Sequence, residues 1–207
     1  MMRIIYYRTA DFVALAGKKY HKKRNHIAQF SKYGAVFSEI TPNDFDECIT
    51  FAAESYNAKD GYSDASSVAE QYAIHTFFQN FEALELKGGL LPGDGELAAF
   101  SIGEPICSNT FGVHIEKADT RFHGAYPAMA QAFAAHFAMD YTYLNREEDL
   151  GIPGLRKSKL SYYPELLLEN GRRPAIPRKS CCEPRKRHTS LCVVLPGTNL
   201  FYQIQKG

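Results

Sequence analysis

The sequence predicts an α/β (α+β) fold in which a mixed, mostly antiparallel sheet is flanked by helices, and three observations predict it. Apolar residues recur at helical spacing up to about Phe81, then alternate at strand spacing to about residue 118. Beyond that point strand and helix patterns take turns, as they do where helices pack on a sheet. The chain has 207 residues, 45% hydrophobic and 13% aromatic, which is enough to bury a sizeable core.

The helical half contains three segments. GKKYHKKRNHIAQFSKYG runs between Gly17 and Gly34, with Tyr20, Ile27 and Phe30 on one side and Lys18, Lys19, Lys22, Lys23 and Arg24 around the others. AVFSEI follows as a strand. TPND then opens a second helix, with Thr41 as its cap, Pro42 at the first helical position and Asp44 near the positive end. Phe45, Cys48, Ile49 and Ala52 form its buried stripe. A third helix spans about Ser63 to Phe81, started by a Ser67/Glu70 capping box or a turn earlier at Ser63-Asp64, with Ile74, Phe77, Phe78 and Phe81 facing the core.

Three strands are expected between residues 81 and 119, the first two joined through Pro92-Gly93-Asp94-Gly95. In the third, alternation places Phe111, Val113 and Ile115 on one face and Gly112, His114 and Glu116 on the other. A helix follows with Pro127 in its first turn and Met129, Phe133 and Phe137 every four residues. The chain then reads as a strand ending near Leu144, a polar loop Asn145-Arg146-Glu147-Glu148-Asp149, a helix, and the apolar run Glu165 to Leu168.

Charge divides the chain. Residues 171–207 carry eight Lys/Arg and one acid, Glu183, against 16 basic and 22 acidic residues before them. The division predicts a domain over 1–170 and a basic, atypical, disordered tail over 171–207, in which residues 191–195 alone read as a strand. No stretch approaches the roughly 20 apolar residues of a membrane helix, and no leader pattern opens the sequence, so a cytoplasmic location is expected. The five cysteines lack paired CxxC spacing and read as free thiols; no metal is expected.

Several segments carry chemistry. Arg121, Gly124, Ala125 and Tyr126 stand where a strand feeds a helix N-terminus, a place suited to anions because the first helical N–H groups lack internal partners. Asn145 and Arg146 are suited to orient a carbonyl or phosphate, and Glu147, Glu148 and Asp149 to hold an ammonium group; a solvated turn with surface ion pairs is the competing reading. Glu116, on the non-core strand face with His114, is a candidate base, while for His114 a structural hydrogen bond is the simpler reading. Lys18, Lys19, Lys22, Lys23 and Arg24, with Lys157 further on, are candidates for nucleic-acid contact or a merely solvated face.

Arg121 to Tyr126 resembles the R/Q-x-x-G-x-G/A coenzyme A loop of the GCN5-related N-acetyltransferase superfamily, departing from it at Tyr126. More broadly, GKKYHKKRNHIAQF, ELAAFSIGE, EKAD…HGAYPAMAQAFA and YLNREEDLGIPGLRKSKLSYYPELLLE resemble the bacterial family related to the C-terminal domain of phosphatidylglycerol lysyltransferase, over about residues 8–169. That resemblance implies an acetyltransferase-like fold akin to the Fem-type peptidyl transferases, the second of a tandem pair. It implies transfer from an aminoacyl-tRNA donor to a lipid or small-molecule hydroxyl or amine, with no further cofactor. Acyl-CoA-dependent N-acylation, with acetyl-CoA or another acyl-CoA, is the alternative. A non-catalytic half that binds RNA or a partner is the third. The donor amino acid, acceptor and oligomeric state stay open.

Overall fold

The computed structural model describes residues 3–57, 65–148, 152–169, 189–194 and 201–206. In chain order they form β1 (Arg3–Arg8), α1 (Thr9–Ala14), α2 (His21–Phe30), β2 (Ser38–Glu39), α3 (Phe45–Asn57), α4 (Ala65–Gln79), β3 (Lys87–Gly93), β4 (Glu96–Cys107), β5 (Thr110–Ala118), α5 (Ala125–Phe137), β6 (Tyr143–Glu148), α6 (Pro153–Leu160), β7 (Leu166–Glu169), β8 (Thr189–Val194) and β9 (Phe201–Lys206). Seven strands make one sheet in the order β2-β3-β4-β5-β6-β1-β7, and β8 pairs with β9 in a separate two-stranded sheet. Every pairing in the large sheet is antiparallel except β5 with β6, so the predicted fold class holds.

The helices form where their local chemistry supports them. Short 3-10 turns at 18–20 and 31–33 extend α2 in both directions, and Tyr20 and Phe30 are buried on its inner side. Thr41 and Asp44 close a capping box, the Thr41 N–H donating to Asp44 Oδ2 at 2.7 Å, ahead of α3. Ser67 is no cap: it lies inside α4, which has begun by Ala65, and the alternative start at Ser63-Asp64 lies outside the described residues. Asp94 and Gly95, at φ +52° and +87°, make the two-residue turn between β3 and β4 that suits a twisted hairpin. Pro92 and Gly93 belong to the strand itself.

The sheet is covered on both faces. One core joins β1, β5 and β6 to α1, α2 and α5 through Ile5, Tyr7, Phe12, Phe30, Phe111, Met129, Phe133 and Leu144. The other joins β4 and β5 to α3 and α4 through Cys48, Ile74, Phe77, Phe78, Phe100, Ile102 and Ile115. Phe111 and Val113 thus lie in the first core and Ile115 in the second, which corrects the expectation that all three share a face. The cause is a β-bulge: Ile102 pairs with Ile115 and Gly103 with Val113, leaving His114 as an extra residue on β5.

β1 is threaded between the last two strands, antiparallel to β6 and β7. Its alternate residues Ile5 and Tyr7 are almost wholly buried, so the start of the chain completes the sheet. On the same face α2 packs against the start of α5, where a Cβ built on Gly124 (φ +92°) would lie 2.0 Å from the His26 carbonyl oxygen. Gly124→Ala therefore pays for both backbone strain and displacement of α2; a loss of about 3 kcal/mol, read as a melting point lower by roughly 6–12 °C, is the expected outcome of a thermal scan.

Candidate active site

The β5–β6 backbone ladder is short. It pairs Thr110, Phe111 and Gly112 with Tyr143, Leu144 and Asn145 and then stops, although β6 stays on β1 as far as Glu148. Beyond Gly112 the two parallel strands are joined by side chains instead. Because the bulge turns His114 and Glu116 to opposite faces, each face receives its own bridge. The polar segment Asn145–Glu148 is therefore strand, which corrects its reading as a loop, and Asp149 lies outside the described residues.

On the α1/α2 face, Arg146 Nη2 donates to Glu116 Oε1 at 2.7 Å, the two side chains being only 11% and 13% exposed. The guanidinium lies 5.4 Å from the Phe12 ring centroid and 5.2 Å from that of Tyr162. Its Nη1 is buried without a hydrogen-bond partner. Phe12 stacks on Tyr162, centroids 4.7 Å apart, and Lys23 Nζ lies over the Tyr162 ring, 3.9 Å from its centroid. Burial, and then the nearby Arg146 charge, pull the Lys23 ammonium down to about 8, with Glu116 opposing. Two cations thus lie within the field of one carboxylate, which is paired with Arg146. Burial pushes the Tyr7 phenol up to about 12 and raises that of Tyr162 as well, so both remain neutral hydroxyls.

On the α4 face, His114 is held by two carboxylates, Nδ1 to Glu147 Oε1 at 2.7 Å and Nε2 to Glu104 Oε1 at 3.0 Å, with its ring stacked on Phe77. Burial lowers its affinity for the second proton, but the two carboxylate hydrogen bonds outweigh that and hold it at about 9. The imidazolium then donates from both nitrogens, spanning β4, β5 and β6. Asn145 supports this clasp: its Oδ1 accepts the Glu147 N–H at 2.8 Å, and Glu147 takes a left-handed φ of +53°. Glu116 and His114, expected side by side, serve different faces.

The remaining candidates separate. Arg121 is exposed and bound by Asp119 and Glu96, away from the Arg146 cluster. The Ala125 N–H donates to Phe122 O, and Gly124 is filled from outside by His26, so the α5 loop is tightly closed on itself. Tyr126 is closer to the cluster, since burial and then the Glu116 charge raise its phenol. Among the basic residues, Lys18, Lys22 and Lys157 face solvent. Arg24 donates to the Leu15 and Gly17 carbonyls, closing the end of α1. Lys19 lies over Tyr20 and Tyr163, and Lys23 turns inward.

Sequence reasoning missed Tyr7, Phe12, Glu104 and Tyr162. Tyr7 OH donates to Lys159 O at 2.9 Å across 152 residues, and no local pattern announces such a contact. The aromatic pair Tyr162-Tyr163 before Pro164 is the local signal that could have pointed to Tyr162. Among the described residues, no group of three His, Cys, Asp or Glu side chains is placed to hold a metal ion. Among the described residues, neither Cys48 nor Cys107 is in a disulfide.

Two outcomes follow from the bridges. His114 holds its proton more tightly folded than unfolded, so its contribution, about 3 kcal/mol from a rise of 6.5 to about 9, is complete below pH 6.5 and lost as pH climbs through about 9. In melting curves between pH 6 and 10 the stability advantage of wild type over His114→Gln is expected to shrink as pH rises, a difference from which the opposite contribution of Lys23 cancels. Glu116→Gln leaves the Arg146 charge buried and uncompensated, and urea unfolding is expected to register a loss of roughly 3–5 kcal/mol, largely recovered in Glu116→Leu/Arg146→Met.

The comparisons with known proteins agree with this architecture. The family model described as phosphatidylglycerol lysyltransferase, C-terminal, matches residues 4–169. A conserved protein of unknown function from Bacteroides thetaiotaomicron is 44% identical, with a TM-score of 0.74 over 80% of this chain and 57% of its own. L-PGS from Bacillus licheniformis aligns at 16% identity and a TM-score of 0.54, over 83% of this chain and 60% of its own. The C-terminal domain of a putative lysylphosphatidylglycerol synthetase from Agrobacterium fabrum aligns at 14% and 0.50, over 82% and 60%. These two show the fold. No curated protein matches. The chain spans under two thirds of the length of these solved relatives. With the family model covering the whole seven-stranded sheet and its helices, the chain belongs to the phosphatidylglycerol lysyltransferase C-terminal family.

Proposed function

We propose that this chain is an aminoacyl transferase unit that moves an amino acid from an aminoacyl-tRNA ester to a hydroxyl or amine acceptor, lipid or small molecule. The observation that carries this reading is the buried Arg146–Glu116 pair with its unpartnered Nη1, set where β5 and β6 part. Attack on an ester carbonyl builds negative charge on its oxygen, and a fixed guanidinium N–H in a site screened from water stabilises that charge strongly. Membership in the lysyltransferase C-terminal family supports the same class of reaction.

In this reading Arg146 supplies the oxyanion donor and Glu116 fixes its fork. Lys23 adds a second cation beside it. Asn145 and Glu147 act by positioning, since they and His114 hold β6 at its distance from β5. Catalysis is then mainly orientation and charge stabilisation, with the donor ester as the only activated group required. Lys18, Lys22 and Lys157 are exposed cations available to an RNA backbone. Acyl-CoA as donor is the less supported alternative, because Arg121 is committed to Asp119 and Glu96 and the Ala125 N–H to Phe122.

The test is transfer of a radiolabelled amino acid from charged tRNA to phosphatidylglycerol vesicles and to soluble hydroxyl or amine acceptors, with acetyl-CoA assayed in parallel. Arg146→Lys keeps the charge but loses the fork, and a fall of about 100-fold in kcat is expected at little change in donor affinity. Charged tRNA is expected to raise the melting point more than uncharged tRNA. Response to acetyl-CoA alone, or equal activity of the Arg146 variant, sinks this assignment.

A further inference from the structure

Outside the β5–β6 parting lies a cavity of about 210 Å³ between the end of β1, α1 and the turn from α6 to β7. It is smaller than the roughly 300–1,000 Å³ of drug-sized sites, and so suits a headgroup-sized ligand. Its walls are aromatic: Tyr7, Phe12, Tyr20, Tyr162 and Tyr163. Two of the hydroxyls are already used, Tyr7 OH donating to Lys159 O at 2.9 Å and Tyr20 OH to Tyr162 O at 3.1 Å. Besides the Tyr162 and Tyr163 hydroxyls, what these rings offer a ligand is their electron-rich surface. Of the carboxylates on the lining, Glu165 is paired with Arg8, which leaves the exposed Asp11 as the surplus charge, a negative one.

The chain's own cations show what these rings attract. Lys19 Nζ lies 4.9 Å from the Tyr20 centroid and 5.2 Å from that of Tyr163, two rings set nearly perpendicular at 87°. Lys23 lies over Tyr162, and Arg146 over Phe12 and Tyr162. Ring faces meeting at right angles beside a carboxylate attract ammonium by their quadrupoles and by its charge together.

We propose that this cavity is a binding site for an organic ammonium group, and that Lys19 is a tethered competitor for the Tyr20 and Tyr163 rings, giving way when a ligand cation enters. An anion is disfavoured by Asp11 and by the ring faces alike. A neutral apolar group gains burial against the rings but neither the cation–π attraction nor the pairing with Asp11. The cavity shares Tyr7, Phe12 and Tyr162 with the surroundings of Arg146, but it uses neither Arg146 Nη1 nor Glu116, so ligand binding there is measured without the transfer reaction.

Binding of choline to the full chain, followed by calorimetry or by tyrosine emission in a protein without tryptophan, tests this. The control is 3,3-dimethylbutan-1-ol, which has the same shape without the charge. Choline is expected to bind at least about tenfold tighter than the alcohol. Asp11→Asn, at an exposed position, is expected to weaken choline about five- to tenfold, and Lys19→Gln to tighten it about threefold or more. Competition by phosphatidylcholine vesicles would identify a lipid headgroup as the source, and its absence a soluble amine; both support an ammonium site. Equal binding of choline and the alcohol, no binding of choline at millimolar concentration, or weaker binding in Lys19→Gln overturns the proposal.

Discussion

The separation of β5 from β6 beyond Gly112 is the constraint on which the rest of the structure depends. A parallel pair that ends after three residues leaves strand backbone and space inside a sheet that is covered on both faces. Here the gap is closed by charged side chains, Glu116 to Arg146 on one face and His114 to Glu147 on the other. Charges are costly to bury unless paired, so these groups hold one another in a fixed geometry and the strands at a fixed distance. The extra residue in β5 makes this possible, because it turns His114 and Glu116 to opposite sides.

The two faces use their bridge differently. The α4 side is complete: both imidazole nitrogens have carboxylate partners, and the ring is stacked on Phe77. Beside it, Lys117 pairs with Glu70 of α4 at 2.9 Å. The α1/α2 side is incomplete, with Glu116 paired to Arg146, Lys23 nearby, and one guanidinium nitrogen without an acceptor. A fully satisfied network rigidifies, whereas a buried donor without an acceptor is costly. The two faces of one pair of strands thus differ in how far their polar groups are satisfied.

Aromatic packing builds the wall behind Arg146 from distant parts of the chain. Tyr7 comes from the first strand, Phe12 from the helix after it, and Tyr162 from the turn after α6, with ring centroids 4.7 to 6.2 Å apart. Threading β1 between β6 and β7 brings them together. α2 then closes over the cluster, its approach to α5 set by Gly124. The surface contacts of Arg8 with Glu165 and Arg121 with Asp119 add little by comparison, since exposed ion pairs are screened by solvent.

The sequence by itself determined whatever depends on neighbours along the chain. The Thr41–Asp44 cap, the Asp94-Gly95 turn, the buried stripes of α3, α4 and α5, and the mixed, mostly antiparallel sheet follow from periodicity and turn chemistry, which act over a few residues. Arg146 and Glu116 were legible as chemically able groups, yet not as partners, because 30 residues separate them. Only the tertiary structure decided that Asn145–Glu148 is strand, since that depends on β1 supplying its other edge. It alone decided that His114 leaves the face of Glu116, because a bulge is a property of the pairing with β4 and cannot be read from alternation within β5. It also turned Lys23 and Arg24 from a presumed basic surface to an interior site and a helix end, since which side of a lysine-rich helix is buried depends on what packs against it.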